Sequence, residues 1–401
     1  MTRGVLFHVQ HLLGIGHLKR ADILAEGMAA QGLDVTVALG GPPLPGIRFR
    51  GAKIAELPAA RIANEDFSTL LDAAGRPVDE SWKAARKAAL LELARRTAPD
   101  VVLVELFPFG RRQFRFELIP LLEQFAEIAP RPRIACSVRD ILVASRKPDR
   151  DAEIVSILRR FFDRVLVHGD PTLIPFGATF DAVPQIADLI RYTGYVTASA
   201  EPAAGAGPDD GAGEVLVSAG GGAVGAPLLR AAMGARPLTP LADHVWRFLT
   251  GPNLPDDEFN ELARGADGRT IVERFQADFP ARQKTAALSI SQAGYNTTMD
   301  ILRAGARAIV IPYEAPGETE QRLRSDILAQ QGLLTILPAA ELSPETLAHA
   351  VEAALARPVP KLARFDLDGA TTAARLVAEL AEERWVGPPL GRHPRASDPR
   401  A

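Results

Sequence analysis

Residues 4–39 read GVLFHVQHLLGIGHLKRADILAEGMAAQGLDVTVAL, and the period of their apolar residues changes along the stretch. Residues 4–10 form an apolar run of strand length, 11–17 a glycine-containing loop, and 18–31 a helical repeat stopped by Gly32. Residues 34–39 read as a second strand. Two strands joined through a helix run parallel, so the chain opens as an α/β sheet. The alternation continues at 101–104, 134–138 and 164–167, preceded by helical patterns such as 80–96 and 154–162. Continuous apolar strands of this kind are covered on both faces.

Thr193-Gly194-Tyr195-Val196 leads into 197–213, where Ala, Gly, Pro, Ser and Asp leave almost no large apolar residue, a linker composition. Strands then resume at 215–218, 245–250, 270–272, 287–291, 308–311 and 334–337. The expected organisation is a first domain at 1–196, a linker at 197–213, a second domain at 214–385 and a tail at 386–401. The tail's Gly, Pro and Arg give it nothing to pack, so it is expected to be disordered. Both domains read as doubly wound and parallel. Ligands of such sheets bind beyond the carboxyl ends of the strands, and two sheets facing each other make one cleft.

The 401 residues carry 46 Lys+Arg against 49 Asp+Glu, a net charge of −3 that argues against nucleic acid as partner. With 47% hydrophobic and 24% charged residues the composition is that of a globular protein. A single cysteine, Cys136, permits no internal disulfide and no cysteine-based zinc site. No run of about 18 apolar residues occurs. The chain enters Val5-Leu6-Phe7 without the regions of a signal peptide, so a cytoplasmic protein is expected. Arginines outnumber lysines 39 to 7, a compositional bias that makes any single arginine weak evidence.

The first loop, His11-Leu12-Leu13-Gly14-Ile15-Gly16-His17, lacks the third glycine of a dinucleotide fingerprint, because Lys19 stands there, and the second strand ends in Gly40-Gly41 where an acid would hold a ribose. What remains is a close backbone approach at Gly14 and Gly16 and an imidazole where the helix begins. A histidine at the positive end of a helix dipole stays neutral, so His17 is the candidate general base; capping or packing is the alternative. His8 and His11 beside it make no metal set, since His8 alternates inward and no clustered carboxylates accompany it.

The second loop, Ser218-Ala219-Gly220-Gly221-Gly222-Ala223-Val224-Gly225, lacks Gly-Lys-Ser/Thr but exposes backbone N–H groups at a helix start, suited to a phosphate or sugar. The third, Gln292-Ala293-Gly294-Tyr295-Asn296-Thr297-Thr298-Met299-Asp300, is a strand-to-helix turn where a diphosphate can meet N–H groups and Asp300 a ribose; an ordinary capped helix is equally compatible. Past the strand at 308–311, Glu320 and Gln321 suit sugar hydroxyls.

These three loops in this order resemble the MurG-type glycosyltransferases, and the resemblance implies the GT-B fold, two Rossmann-like domains around a central cleft. The family's Ser-Gly-Ala-x-Thr-x-x-Glu stretch is similar to 293–300, which implies Asp300 as the ribose-binding acid, one carbon shorter than Glu. Its Gln-Gln pair resembles Glu320-Gln321, and its Gly-Gly-Ser-Gln-Gly-Ala loop resembles 220–225. In the first domain its Gly-Gly-Thr-Gly-Gly-His is reduced to 12–17, keeping His17 but not the glycines that serve MurG's own lipid-linked acceptor. The resemblance implies a nucleotide-sugar donor as substrate, no cofactor and no metal, and inverting transfer of a hexosyl or N-acetylhexosaminyl group, most readily from a UDP-sugar. The acceptor is expected at the first domain, where Arg111 and Arg112 lie in a segment of interleaved basic and aromatic residues at 105–116 and Arg139 follows another strand. Such a segment suits a phosphate or headgroup at the inner face of a membrane, or else a core with a solvated basic face. His168-Gly169-Asp170 is expected near the cleft, with Asp170 as a helix cap. Other classes compatible with the same loops are a nucleotide-sugar 2-epimerase or hydrolase and a non-catalytic nucleotide-sugar-binding subunit.

Overall fold

The computed structural model describes residues 2–12, 16–42, 47–62, 69–142, 148–197, 213–221, 224–276, 279–314, 319–360 and 365–383. The first half runs β1 (Gly4–Val9), α1 (Gly16–Ala30), β2 (Asp34–Leu39), β3 (Lys53–Glu56), a hairpin of β4 (Arg61–Ile62) and β5 (Leu70–Leu71), α2 (Glu80–Thr97) and β6 (Val101–Glu105). It continues with α3 (Arg115–Ala126), β7 (Arg133–Arg139), α4 (Pro148–Phe161), β8 (Arg164–His168) and β9 (Ile190–Tyr192). The second half runs β10 (Val215–Ser218), α5 (Ala226–Ala235), β11 (Trp246–Leu249), α6 (Asp256–Arg264), β12 (Thr270–Glu273), α7 (Phe279–Thr285), β13 (Leu288–Gln292) and α8 (Tyr295–Ala304). It ends with β14 (Ala308–Ile311), α9 (Glu320–Gln330), β15 (Thr335–Ile336), α10 (Pro344–Ala356) and α11 (Gly369–Glu382).

The first sheet has strand order β3-β2-β1-β6-β7-β8-β9 and the second β12-β11-β10-β13-β14-β15, both parallel throughout. Each order reverses once, between β1 and β6 and between β10 and β13. Those are the topological switch points where open α/β sheets bind ligands. The edge strands β3 and β9 are short and half-polar, so their periodicity is not read from sequence.

Alternation along β1 divides the first core in two. Leu6 packs with Val102, Val104, Cys136 and Val138 on one face, and Val5, Phe7 and Val9 pack under α1 on the other. The sequence puts α11 inside the 214–385 unit, but its packing joins it to the first domain. Its buried Ala373, Ala374, Val377, Leu380 and Ala381 share a core with Leu18, Ala21, Leu24 and Met28 of α1. The reason is steric: small residues let the helices approach until a Cβ on Gly27 would stand 3.3 Å from the Ala370 carbonyl oxygen. A further apolar cluster joins the domains, with Ile141, Leu173, Ile174 and Tyr195 from the first against Met299, Leu302 and Leu328 from the second. Among the described residues no helix is long and apolar enough to cross a membrane. Cys136 is buried, and burial pushes its thiol pKa up, as in a packing residue.

Candidate active site at the interdomain cleft

His17 enters the cleft as the second residue of α1, and Glu105 closes β6, the strand beside β1. Their side chains meet, with His17 Nδ1 2.7 Å from Glu105 Oε1. The same oxygen accepts from Arg20 Nη2 at 2.7 Å. Burial pushes the His17 pKa down to about 4, against the opposing pull of Glu105. The ring is therefore neutral at pH 7. Burial raises the Glu105 pKa, but His17 and Arg20 outweigh it, and the carboxylate is held well below its usual range. An ionised Glu105 only accepts, so Nδ1 carries the proton and donates, leaving Nε2 with a free lone pair. That is the tautomer of a positioned general base.

Across the cleft, α9 supplies Arg324, fully buried, which donates to Asp140 Oδ1 at 3.0 Å and to Glu320 Oε1 at 2.8 Å. Arg139 pairs with Glu320 at 2.5 Å. The adjacent Arg139 and Asp140 thus each reach an oppositely charged residue of the second domain rather than each other. Between the two layers lies Tyr295, its ring 5.7 Å from the Arg20 guanidinium and 5.1 Å from that of Arg324. Its hydroxyl donates to the His168 carbonyl at 3.4 Å. One chain of charges and rings therefore runs from the His17–Glu105 pair to α9.

The glycine loop after β10 places Gly220 at φ +61, a conformation that favours glycine, and Gly221 is exposed. At the other strand of this switch point, Gly294 caps α8 from an extended conformation. A Cβ on Gly16 would lie 3.5 Å from Asn296 Nδ2, so the first-domain loop meets α8 there. Burial pushes Asp300 up from 3.8 to about 6, partly countered by Lys19 and Arg303. If Asp300 is the ribose-binding acid that the motif resemblance implies, it must be ionised to accept hydrogen bonds, and nucleotide affinity would then fall below about pH 6. The folded pKa is the higher one, so stability through this group is lost as pH rises from 3.8 to about 6. Asp300→Asn is expected to melt above wild type at pH 7.5, with the gain shrinking toward pH 4, and to abolish the pH dependence of nucleotide binding. A thermal-melt series across pH checks this, and an unchanged melting temperature at pH 7.5 contradicts it.

Residues 216–368 match the glycosyltransferase family 28 C-terminal domain. An uncharacterised glycosyltransferase of Methanopyrus kandleri is 32% identical over 171 residues, 43% of this chain and 46% of that one. A UDP-N-acetylglucosamine--N-acetylmuramyl-(pentapeptide) pyrophosphoryl-undecaprenol N-acetylglucosamine transferase of Brucella anthropi is 31% identical over 177 residues, 42% of this chain and 46% of that one. The chain thus spans about half the length of the curated relatives it matches. Solved structures extend the likeness over both domains. Acinetobacter baumannii MurG superposes with a TM-score of 0.57 at 15% identity, over 94% of this chain and 99% of that one. The calicheamicin glycosyltransferase CalG4 superposes with a TM-score of 0.63 at 16% identity, over 94% and 97%. The fold is GT-B, MurG-like in arrangement, as the motif resemblance implies.

The second domain brings Gly220, Gly221, Gly294, Asn296, Thr297 and Asp300 to one switch point; Gly222, like Gly14 in the first domain, lies outside the described residues. Glu320, expected to meet sugar hydroxyls, is instead buried between Arg139 and Arg324. Gln321 Oε1 accepts from the Tyr313 N–H at 3.0 Å. Of the basic residues expected at the acceptor, Arg139 and Arg111 lie in the cleft, with Arg111's charge acting on Glu105 and His17. Arg112 does not join them: it is exposed and pairs with Glu153 of α4 at 3.1 Å. The aromatics of 105–116 are core, with Phe109 edge-on to Phe176 and Phe180 at 5.3 and 5.2 Å. His168 is buried between Ser137 and Thr193, and Asp170 accepts from the Thr172 N–H. Among the described residues no group of three His, Cys, Asp or Glu is arranged to hold a metal ion. Sequence reasoning missed Glu105, Arg20, Tyr295 and Arg324. For Glu105 the signal was present: it is the acidic residue ending a strand that pairs with β1.

Proposed function

We propose that the protein transfers a hexosyl or N-acetylhexosaminyl group from a UDP-sugar to the hydroxyl of a lipid-linked or envelope-glycan acceptor, with inversion and without a metal. The observation that carries this reading is the His17–Glu105 pair at 2.7 Å, on the first-domain face of a cleft whose other face matches the glycosyltransferase family 28 C-terminal domain. Nε2 of His17 takes the proton of the acceptor hydroxyl. The acceptor oxygen then bonds to the anomeric carbon while the bond from that carbon to the phosphate oxygen breaks, its electron pair leaving with the diphosphate. A single displacement inverts the centre. Glu105 stabilises the imidazolium that forms. The N-termini of α5 and α8 offer N–H groups to the diphosphate charge, and Asp300 accepts from the ribose. The UDP-N-acetylglucosamine in the name of the Brucella relative supports the choice of base. Its pyrophosphoryl-undecaprenol supports a lipid-linked acceptor, which would bring the protein to the inner face of the membrane.

A 2-epimerase would need further carboxylates free for acid and base work. Glu105, Asp140 and Glu320 are instead committed to arginine or histidine partners. Incubation with UDP-, GDP-, dTDP- and ADP-sugars, followed by product analysis, tests the proposal. Release of a nucleoside diphosphate with the sugar moved to an added hydroxyl acceptor or slowly to water is the expected result. Recovery of an epimerised sugar, or no turnover of any donor, overturns it.

A further inference from the structure

Where 293–300 departs from the family's Ser-Gly-Ala-x-Thr-x-x-Glu, Tyr295 adds the most bulk, since the motif carries alanine there. The added ring reaches out of its own domain. The Arg20 guanidinium of the first domain lies over it, 5.7 Å from its centroid, and its hydroxyl donates to the His168 carbonyl at the end of β8, 3.4 Å away. One residue on, Asn296 Nδ2 would stand 3.5 Å from a Cβ on Gly16, so the first turn of α8 rests on the first turn of α1.

Arg20, which the ring meets, is joined to the base. It follows His17 by three residues on α1, so the two side chains share a face of the helix. Its Nη2 donates to Glu105 Oε1 at 2.7 Å and stands 3.1 Å from His17 Nδ1. The side chain is 2% exposed, and its Nε has no hydrogen-bond partner. A guanidinium bonded through one corner can turn about that corner, and a flat aromatic face fixes its plane. Such a face is also a surface that a weakly hydrated guanidinium accepts in place of water. From its own domain Tyr295 is braced by Arg324 of α9, over the ring at 5.1 Å. An alanine at 295 would open that space to water, which competes for Arg20 and, through Arg20, for Glu105 Oε1.

We propose that Tyr295 is a positioning residue: from the second domain its ring fixes Arg20, and through Arg20 the Glu105 carboxylate that orients the His17 base. This rests on the reading of the cleft as a glycosyl-transfer site, and it adds that the base is ordered only with the start of α8 docked against it.

Tyr295→Leu, which fills the space without an aromatic face, and Tyr295→Phe, which keeps the face, separate this role from packing. The readout is the His17 ring signal in NMR of the full chain with ring-labelled histidines, followed between about pH 5 and 7.5. The charges acting on that ring are Arg20 on its own helix, Glu105 at the end of β6, Arg111 beyond it and Glu320 of α9, and burial outweighs them to hold the ring near pKa 4. In wild type and Tyr295→Phe the ring is expected to stay neutral over the whole range. In Tyr295→Leu, water at the ring and a displaced Arg20 both weaken what lowers the pKa, so a midpoint above about pH 5 is expected. Donor turnover is expected to fall about 10–100-fold in Tyr295→Leu, the scale of a misplaced reacting group, with most of the rate kept in Tyr295→Phe. UDP affinity is expected to stay within about threefold of wild type in both. Adding Arg20→Lys to Tyr295→Leu is expected to cost little beyond the larger single effect, because the two act along one path.

A His17 titration in Tyr295→Leu identical to that of wild type overturns the proposal, as do additive rate losses in the double variant. So does a UDP affinity that falls as far as the rate, which would make the ring a donor contact. Should Tyr295→Leu lose its fold, Arg20→Lys, which keeps the charge but gives up the flat face, is read in the same way, and a His17 ring still neutral at about pH 5 overturns the proposal. Failure of wild type to turn over any donor would remove the transfer reading, and the His17 titration then decides on Tyr295 by itself.

Discussion

Replacing His17 by alanine is expected to lower the rate of donor consumption by about 10²–10⁴-fold, the range for a lost general base, with UDP affinity unchanged. The split between rate and binding follows from position. His17 stands at the start of α1 in the first domain, bonded to Glu105 at 2.7 Å, whereas the donor loops follow β10 and β13 in the second. Glu105→Gln keeps a hydrogen-bond acceptor beside Nδ1 but removes the charge that favours the imidazolium, so a smaller fall in rate is expected. Because burial holds His17 near pKa 4, its neutral form persists throughout the neutral range. Any acid limb near pH 6 then belongs to Asp300, and Asp300→Asn is the variant that tells them apart. A rate unchanged in His17→Ala would show that the imidazole only caps and packs, and the protein would be read as a nucleotide-sugar-binding subunit.

Arg324→Ala is expected to cause the largest loss of stability. The side chain is fully buried and is the shared partner of Asp140 in the first domain and Glu320 in the second. Burial disfavours its charge, but the two carboxylates more than offset this and raise its pKa. Removing it leaves Asp140 without its ion pair and Glu320 with Arg139 alone, at a cost of about 3–5 kcal/mol for a broken buried pair. For a domain of this size that corresponds to a fall in melting temperature of about 6–20 °C. Loss of the cation also removes the guanidinium packed 5.1 Å from the Tyr295 ring, so the start of α8 is expected to loosen. A melting temperature within about 2 °C of wild type would contradict a closed cleft, because it would mean that water already reaches both carboxylates at little cost.

How far these features are legible in the sequence differs by kind. The βα alternation is, because buried parallel strands are continuous apolar runs and helices repeat at 3.6 residues. That His17, Gly220 and Asp300 lie near the switch points is legible too, since each comes after a strand end there and the motif resemblance marks all three. The partner of His17 is harder. Glu105 lies 88 residues away, and it becomes a partner only once β6 is known to pair with β1 rather than with β2. Arg139 and Asp140 are adjacent in sequence, yet each bonds across the cleft rather than to the other, a choice made by domain docking that no local pattern encodes. The placement of α11 fails for the same reason: an alanine-rich amphipathic helix says that one face is buried but not against which domain.

The proposed glycosyl transfer requires a nucleotide site in the second domain, and calorimetric titration at pH 7.5 of wild type and Asp300→Ala with UDP, GDP, dTDP and ADP tests for it most directly. The expected result is micromolar binding of UDP by wild type, weakened at least tenfold in Asp300→Ala, the scale of one lost hydrogen bond to a charged group. Absence of binding to all four nucleotides, by a protein whose circular dichroism and melting show it folded, would contradict a nucleotide-sugar donor.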